Sequence, residues 1–317
     1  MTKKGRALVT GGAGFIGSHL AKELIQSGYH VFVIDNLSTG RRSNVPEAAE
    51  FIELDLSMAN SLDELQDLHL DMIFHLAAQS SGALSFVDPP ADLRSHIFST
   101  FNLLQYCLKF KVNRFLYASS ATVYGDPLYL PVDENHPKNP QTYYAAGKIS
   151  SEAYVNLFNS LGVNTTILRM PNVYGPGQNL ENKNQGMVSI YLSFMLENSP
   201  IVVKGLPSRF RDFIYIDDVI NAWIKAYETQ EAYGKTYNLA SGKKSSVEDI
   251  LKELVSAFDI PQYPIVYDCG TPGDQTGMIC DISRISEDLN WNPETDLKTG
   301  IKKTVEYERR RLNSEKS

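Results

Sequence analysis

The sequence predicts an α/β fold, a doubly wound parallel sheet with a smaller C-terminal lobe. Two observations carry that prediction. Through the first half, short apolar runs alternate with helix-length amphipathic segments, and parallel strands need such helical crossovers. The first apolar run leads straight into a glycine-rich turn, Gly11-Gly12-Ala13-Gly14-Phe15-Ile16-Gly17, at the mouth of a helix.

Taken in order, residues 6–10 read as a buried strand, 16–27 as an amphipathic helix and 31–35 as a second strand. Further strands are expected at 50–54, 72–77, 114–119 and 165–169, with helices at 96–110 and 144–161. After Pro171 the texture changes: Pro, Gly and Asn accumulate through 171–186, which predicts loops rather than another regular unit. A nucleotide-binding domain of Rossmann type is therefore expected at 1–172 and a substrate-binding lobe at 173–317, with the chain returning to the main sheet near 212–218.

Composition narrows the function classes. With 43% hydrophobic and 21% charged residues, a chain of 317 residues can bury a sizeable core. A net charge of -7 with scattered basic residues argues against nucleic acid as a partner, since neutralising phosphates takes a concentrated Lys/Arg surface. Cys107, Cys269 and Cys280 form no CxxC pair, which fits a reduced, cytoplasmic compartment. No signal-like segment leads the chain, and the most apolar stretch, 187–196, is too short to span a bilayer. Neither a membrane nor a metal is expected as a partner.

Gly11, Gly14 and Gly17 stand in GxxGxxG spacing between strand and helix. There the first two let the backbone turn and approach a pyrophosphate, and the third lets the helix pack closely on the sheet. Asp35 ends the second strand about 20 residues on, where a carboxylate accepts hydrogen bonds from an adenosine ribose. It would repel a 2′-phosphate, so NAD is favoured over NADP. Asp35-Asn36 is also good turn chemistry, and the glycines beside it favour the ribose reading.

Tyr144 and Lys148 are four residues apart in a helical segment, so both reach one face. An ammonium beside a phenol stabilises the phenolate and makes tyrosine a base for a sugar hydroxyl. Tyr143 has Gly147 at the corresponding position and lacks this partner. A core tyrosine with a surface lysine gives the same spacing. The hydroxyl-bearing run Ser119-Ser120-Ala121-Thr122-Val123-Tyr124-Gly125, at a strand's C-terminal end where α/β sheets bind ligands, favours the catalytic reading.

These motifs together resemble the extended short-chain dehydrogenase/reductase family, in particular its NAD-dependent nucleotide-sugar epimerases and dehydratases. The ordered landmarks are GGAGFIG (11–17), DNLSTG (35–40), Asp55-Leu56, HLAAQ (75–79), SSATVYG (119–125), YAAGK (144–148), PNVYGPG (171–177), RDFIYIDD (211–218) and PGD (272–274). The resemblance implies that Phe15, Ile16, Asn36, Thr39 and Gly40 join the glycines and Asp35 around NAD. It places Asp55 and Leu56 beside the adenine, lines the cleft with Leu76, Ala77 and Ala78, and has Lys148 hold the nicotinamide ribose. Asn172 and Arg211 would contact the diphosphate of a sugar nucleotide. Arginine suits that task, because its planar fork grips phosphate oxygens; a surface pairing with Asp212 is the alternative. A homodimer is implied by the helices at 96–110 and 144–161, whose apolar faces could equally be buried within one subunit.

Dehydrating relatives carry an Asp-Glu pair after the active-site hydroxyl residue, and decarboxylating ones a Glu at the second position. Here those positions are Ala121 and Thr122, which have no carboxylate to shuttle protons. The run instead is similar to that of 4-epimerases of the UDP-galactose type. The expectation is NAD-dependent 4-epimerisation of a UDP-hexose or UDP-N-acetylhexosamine through a 4-keto sugar, with Ser120, Tyr144 and Lys148 as the catalytic set. A dehydratase or reductase, and a non-catalytic NAD-binding module, are the competing readings. Three positions depart from the pattern. Thr271 replaces an arginine before Pro272, leaving Arg209 or Lys204 to compensate. His96 stands where relatives carry asparagine and reads as a local hydrogen-bonding substitute. Met278 falls where sugar-pocket size is set, and its flexible thioether suits either sugar.

Overall fold

The computed structural model describes residues 4–58, 61–183, 186–205, 208–268 and 277–315. Cys269, Thr271 and the 272–274 motif lie outside them. Strands β1 (Arg6–Thr10), β2 (His30–Asp35), β3 (Glu50–Glu53), β4 (Met72–His75), β5 (Arg114–Ser120) and β6 (Asn164–Met170) follow the sequence expectation within a residue or two at most ends. Next come β7 (Asn172–Tyr174), β8 (Ile201–Lys204), β9 (Phe210–Arg211), β10 (Phe213–Tyr215), β11 (Lys235–Asn238), β12 (Ser245–Ser246) and β13 (Ile265–Asp268). The helices are α1 (Phe15–Gln26), α2 (Pro89–Leu93), α3 (Ser99–Phe110), α4 (Tyr143–Ser160), α5 (Met187–Leu196), α6 (Ile216–Glu228), α7 (Val247–Phe258), α8 (Ser283–Leu289) and α9 (Leu297–Glu315).

Among the described residues the main sheet runs β11-β6-β5-β4-β1-β2-β3, with every pairing parallel. Its inner strands are buried on both faces, and the two-residue alternation of side chains sorts them into two cores. Ala7, Val9, Val31, Val33, Phe74 and Leu116 face one cluster with Leu20 and Leu24 of α1 and Trp223 of α6. Leu8, Phe32, Ile34, Ile73, Phe115 and Ile167 face the other, with Leu103 and Cys107 of α3 and Val155 and Phe158 of α4. Ile250, Leu254 and Ile301 of the C-terminal region join the first cluster, so the lobe is packed onto the sheet rather than hung from it.

Two expectations change. The return to the main sheet is made by β11 at Lys235–Asn238; β10, near 212–218, pairs instead with β7 in a separate ribbon. The tract read as loop therefore contains a strand, β7, that pairs with β10 outside the main sheet, a three-residue element too short to betray a period. The helix expected from residue 96 starts earlier, at α2, and reaches α3 through one π-helical turn, Arg94–Phe98. Asp88 caps α2 by accepting from the Ala91 amide at 3.0 Å, and Pro89 and Pro90 supply a preformed first turn.

Candidate active site

Strand order reverses between β1 and β4, and the crevice beyond their C-terminal ends is where such sheets bind ligands. Thr10 ends β1 there, fully buried, with its Oγ1 bonded to the amides of Leu76 and Ala77 at 3.1 Å each. It also meets His75 Nδ1 at 2.8 Å, while His75 Nε2 meets Thr100 Oγ1 at 3.0 Å. Burial and the nearby Lys148 charge hold His75 well below the usual histidine range, so it is a neutral strut. This chain fixes the half-buried Leu76-Ala77-Ala78 wall.

The glycine turn closes as its spacing requires. Gly11 has φ +69°, and a Cβ on it would fall 2.8 Å from the Ala77 amide nitrogen. A Cβ on Gly17 would fall 2.2 Å from the Gly11 carbonyl oxygen. Gly14 caps α1 without a side chain, leaving the first-turn amides of Phe15 and Ile16 to the crevice. This cradle fits a pyrophosphate, because donors at a helix N-terminus attract anions. Gly17→Ala is expected to cost more than about 2 kcal/mol, seen as a lower chemical-denaturation midpoint together with loss of bound dinucleotide.

Asp35 is 8% exposed, and its carboxylate accepts from the Ala13 amide at 3.1 Å and the Leu37 amide at 2.9 Å. It therefore makes the local turn and also ties the glycine loop to the end of β2. Burial raises its pKa, opposed by those two bonds. Gly40 packs against it, since a Cβ there would lie 3.0 Å from Asp35 Oδ2, and Thr39 is exposed beside it. Asn36 Nδ2 reaches Asp55 Oδ2 at 3.4 Å. Partial burial pushes Asp55 up, but hydrogen bonds from Ser57 and Asn36 win and hold it below the usual carboxylate range. Leu56 is buried, and its carbonyl accepts from Asn102 at 2.9 Å.

Ser120, Tyr144 and Lys148 converge. Ser120, the last residue of β5, accepts from the Thr122 amide at 3.2 Å and the Thr122 hydroxyl at 3.0 Å. With its lone pairs so engaged, its own O–H is left to donate, and it lies close enough to Tyr144 to favour the phenolate. Thr142 caps α4 at 3.0 Å from the Ala145 amide and so sets where Tyr144 leaves the helix. Lys148 is 4% exposed; its Nζ donates to the Ala118 carbonyl at 2.7 Å and lies 5.8 Å from the Tyr144 ring centroid and 5.0 Å from that of Tyr117.

The electrostatics depart from the sequence reading in one respect. Lys148 is expected to draw the phenol down, yet burial pushes Tyr144 above its ordinary value despite the Ser120 hydrogen bond. The same burial brings Lys148 down to about 7, against the pull of Glu152 and Asp92. For the phenol, burial outweighs the Ser120 contribution, and for the ammonium it outweighs the two carboxylates. A cationic ring brought beside them would favour the phenolate.

Asn172 starts β7 and donates from Nδ2 to the Asp212 carbonyl at 3.0 Å. Arg211, half-buried in β9, donates to its neighbour's carbonyl, that of Phe210, at 2.8 Å. Asp212 is not its salt-bridge partner: that carboxylate is buried and accepts from Ser241, Gly242 and Cys280. Arg209 donates to the Lys204 carbonyl. Met278 is 5% exposed and packs in one cluster with Ala121, Val123 and Tyr124, the residues that follow Ser120. His96 Nε2 comes no nearer to Asp92 Oδ1 than 3.5 Å, neither ring nitrogen makes a well-formed bond, and the ring stands against Tyr144.

Sequence reasoning passes over Thr10, His75 and Glu152. Glu152, one turn after Lys148, takes Arg169 at 2.8 and 2.7 Å, Lys138 at 2.8 Å and Ser119 at 2.6 Å. It clamps the ends of β5 and β6 to α4. The i+4 spacing from Lys148 is its only sequence signal. No group of metal-ligating side chains occurs among the described residues, and no helix among them is long and apolar enough to cross a membrane.

Comparison with known proteins agrees with this geometry. Residues 7–240 match the NAD dependent epimerase/dehydratase family. The chain is 34% identical over 309 residues to UDP-glucose 4-epimerase of Mycolicibacterium smegmatis, covering 95% of this chain and 98% of that protein. The structure of Thermotoga maritima UDP-glucose 4-epimerase with UDP-glucose superimposes with a TM-score of 0.93 at 34% identity, covering 97% and 99% of the two chains. Bacillus cereus UDP-glucuronic acid 4-epimerase, solved with UDP-glucuronic acid and NAD, gives 0.87 at 29% identity over 96% and 99%.

Proposed function

Because the chain belongs to the NAD dependent epimerase/dehydratase family, we propose that it is an NAD-dependent 4-epimerase of a UDP-sugar, a UDP-hexose or UDP-N-acetylhexosamine. The observation that carries this reading is the convergence of Ser120, Tyr144 and Lys148 beside a glycine cradle, with no carboxylate at Ala121 or Thr122 to drive an elimination. The 34% identity to a UDP-glucose 4-epimerase over nearly the whole chain supports the same choice.

The cradle of Gly11, Gly14 and Gly17, with Phe15 and Ile16, would hold the pyrophosphate of NAD, and Asp35 the adenosine ribose. Asn36, Thr39, Gly40, Asp55 and Leu56 would border the adenosine half, and Leu76, Ala77 and Ala78 the wall leading to the nicotinamide. NAD bound there supplies a hydride acceptor that also returns the hydride. Tyr144, as phenolate, takes the proton of the sugar's 4-hydroxyl as that carbon becomes a ketone. Ser120 donates a hydrogen bond to the same oxygen, where negative charge builds, and Lys148 stabilises the phenolate and would hold the nicotinamide ribose. Asn172 and Arg211 anchor the diphosphate, so the 4-keto sugar turns about that link and presents its other face. Tyr144 then gives the proton back. Met278, clustered with Ala121, would bound the sugar side of the pocket.

Incubation with UDP-glucose, UDP-galactose and their N-acetylated forms, with products read by NMR, tests this. Inversion at C4 with mass conserved is expected; loss of water or stoichiometric consumption of NADH would show a dehydratase or a reductase instead.

We also propose a cytoplasmic homodimer. Phe98, Phe101 and Leu108 form a heptad-spaced apolar stripe along α3 and the turn before it. Tyr143, Tyr154, Leu157 and Leu161 do so on α4, and much of both stripes is exposed. Leu157→Asp is expected to shift the sedimentation coefficient from dimer to monomer.

A further inference from the structure

Asp92 and His96 lie outside the groups assigned above, yet they press on the catalytic tyrosine. They sit one turn apart, in α2 and the π-helical turn after it, with side chains 2% and 0% exposed and His96 Nε2 3.5 Å from Asp92 Oδ1. The His96 ring stands edge-to-face with Tyr144, centroids 5.2 Å apart and planes at 73°. Gly147 of α4 makes room for it, since a Cβ there would come within 3.0 Å of three imidazole-side carbons. Gln79 donates to Asp92 Oδ1 at 2.9 Å, but Asp92 Oδ2 and both His96 nitrogens make no well-formed hydrogen bond. Buried polar atoms left so are costly, and π-helical turns are rare and frequent at functional sites. Nothing in the reaction described above uses them.

We propose that the Asp92–His96 pair is a positioning element for Tyr144: the imidazole braces the phenol ring, and the charge of the pair sets how readily the phenol gives up its proton. The groups facing His96 are Asp92 from α2, Tyr144 and Lys148 from α4, His75 from β4 and Gln79 from the segment after it. Burial, with the Lys148 charge, lowers His96 below the usual histidine range and keeps it neutral near pH 7. The Asp92 charge then adds to burial in holding the Tyr144 phenol up. Proton uptake by His96 in mild acid would cancel that charge, softening the loss of phenolate as pH falls.

The proposal rests on Tyr144 being the base, and its test reads the phenol directly. In the holoenzyme, tyrosinate absorbance is titrated as a difference against the same protein carrying Tyr144→Phe. Asp92→Asn is expected to move the Tyr144 midpoint down by about 0.5–1 pH unit, with the acid limb of kcat following and KM for the sugar nucleotide unchanged. His96→Asn, too short to brace the ring, is expected to lower kcat by up to about tenfold, again with KM held. If Asp92→Asn does not fold, Asp92→Ser makes the same charge change. An unmoved midpoint, or losses confined to KM or thermal stability, overturns the proposal. A shifted midpoint in a protein that epimerises no UDP-sugar would sink the function proposed above and leave this pairing standing.

Discussion

Tyr144→Phe is expected to lower UDP-sugar turnover by a factor on the order of 10²–10⁴ while leaving the fold and the bound NAD in place. The change removes one oxygen from a ring already packed against His96 and Lys148. The helix capped by Thr142 and the Lys148 bond to the Ala118 carbonyl have no reason to move. What is lost is the proton acceptor. Ser120 cannot take over, because its oxygen already accepts from the Thr122 amide and hydroxyl and its pKa class is that of an alcohol. Turnover measured by NMR, beside the NAD released on denaturation, separates a chemical defect from a binding one. Near-wild-type turnover would show that another group removes the proton.

Lys148→Met is expected to act in opposite directions on activity and stability. Activity falls, because a neutral side chain cannot stabilise a phenolate. Stability rises at neutral pH and below. Lys148 is brought down to about 7 in the folded chain from 10.5 when free. Between those values the unfolded chain holds a proton that the folded chain lacks, so wild-type stability increases with pH across the window and carries the full penalty below it. Methionine avoids the penalty, at the loss of the Ala118 hydrogen bond. The variant should therefore gain about 1–3 kcal/mol below about pH 7, the gain shrinking toward pH 10.5. Urea unfolding at several pH values measures this. A pH-independent difference would mean that Lys148 stays charged when buried.

Much of this was legible because each signal was local. The glycine turn, Asp35 and the Tyr144/Lys148 spacing fixed their own geometry within single strand–turn–helix units, and the structure closes each as the spacing requires. What stayed hidden depends on distant partners. Strand β10 is indistinguishable in sequence from a main-sheet strand, and only its pairing with β7 separates them. Thr10 becomes a hub because β4 delivers Leu76, Ala77 and His75 to it. The upward shift of the Tyr144 phenol stayed hidden for a like reason: spacing reveals that two groups meet, not how strongly burial acts where they meet. The capping signal for α2, Asp88 before two prolines, is readable in the sequence and lies eight residues ahead of the expected start at 96.

The most direct measurement follows a deuterium placed on C4 of UDP-glucose or UDP-galactose through turnover by the holoenzyme. If the hydrogen leaves as hydride to a resident NAD while Tyr144 carries only the hydroxyl proton, the 4-epimer retains the label at C4 in ordinary water. Loss of the label to solvent would contradict this, since it would mean that C4 gives up a proton and that the phenol, the lysine and the dinucleotide cradle serve some other chemistry.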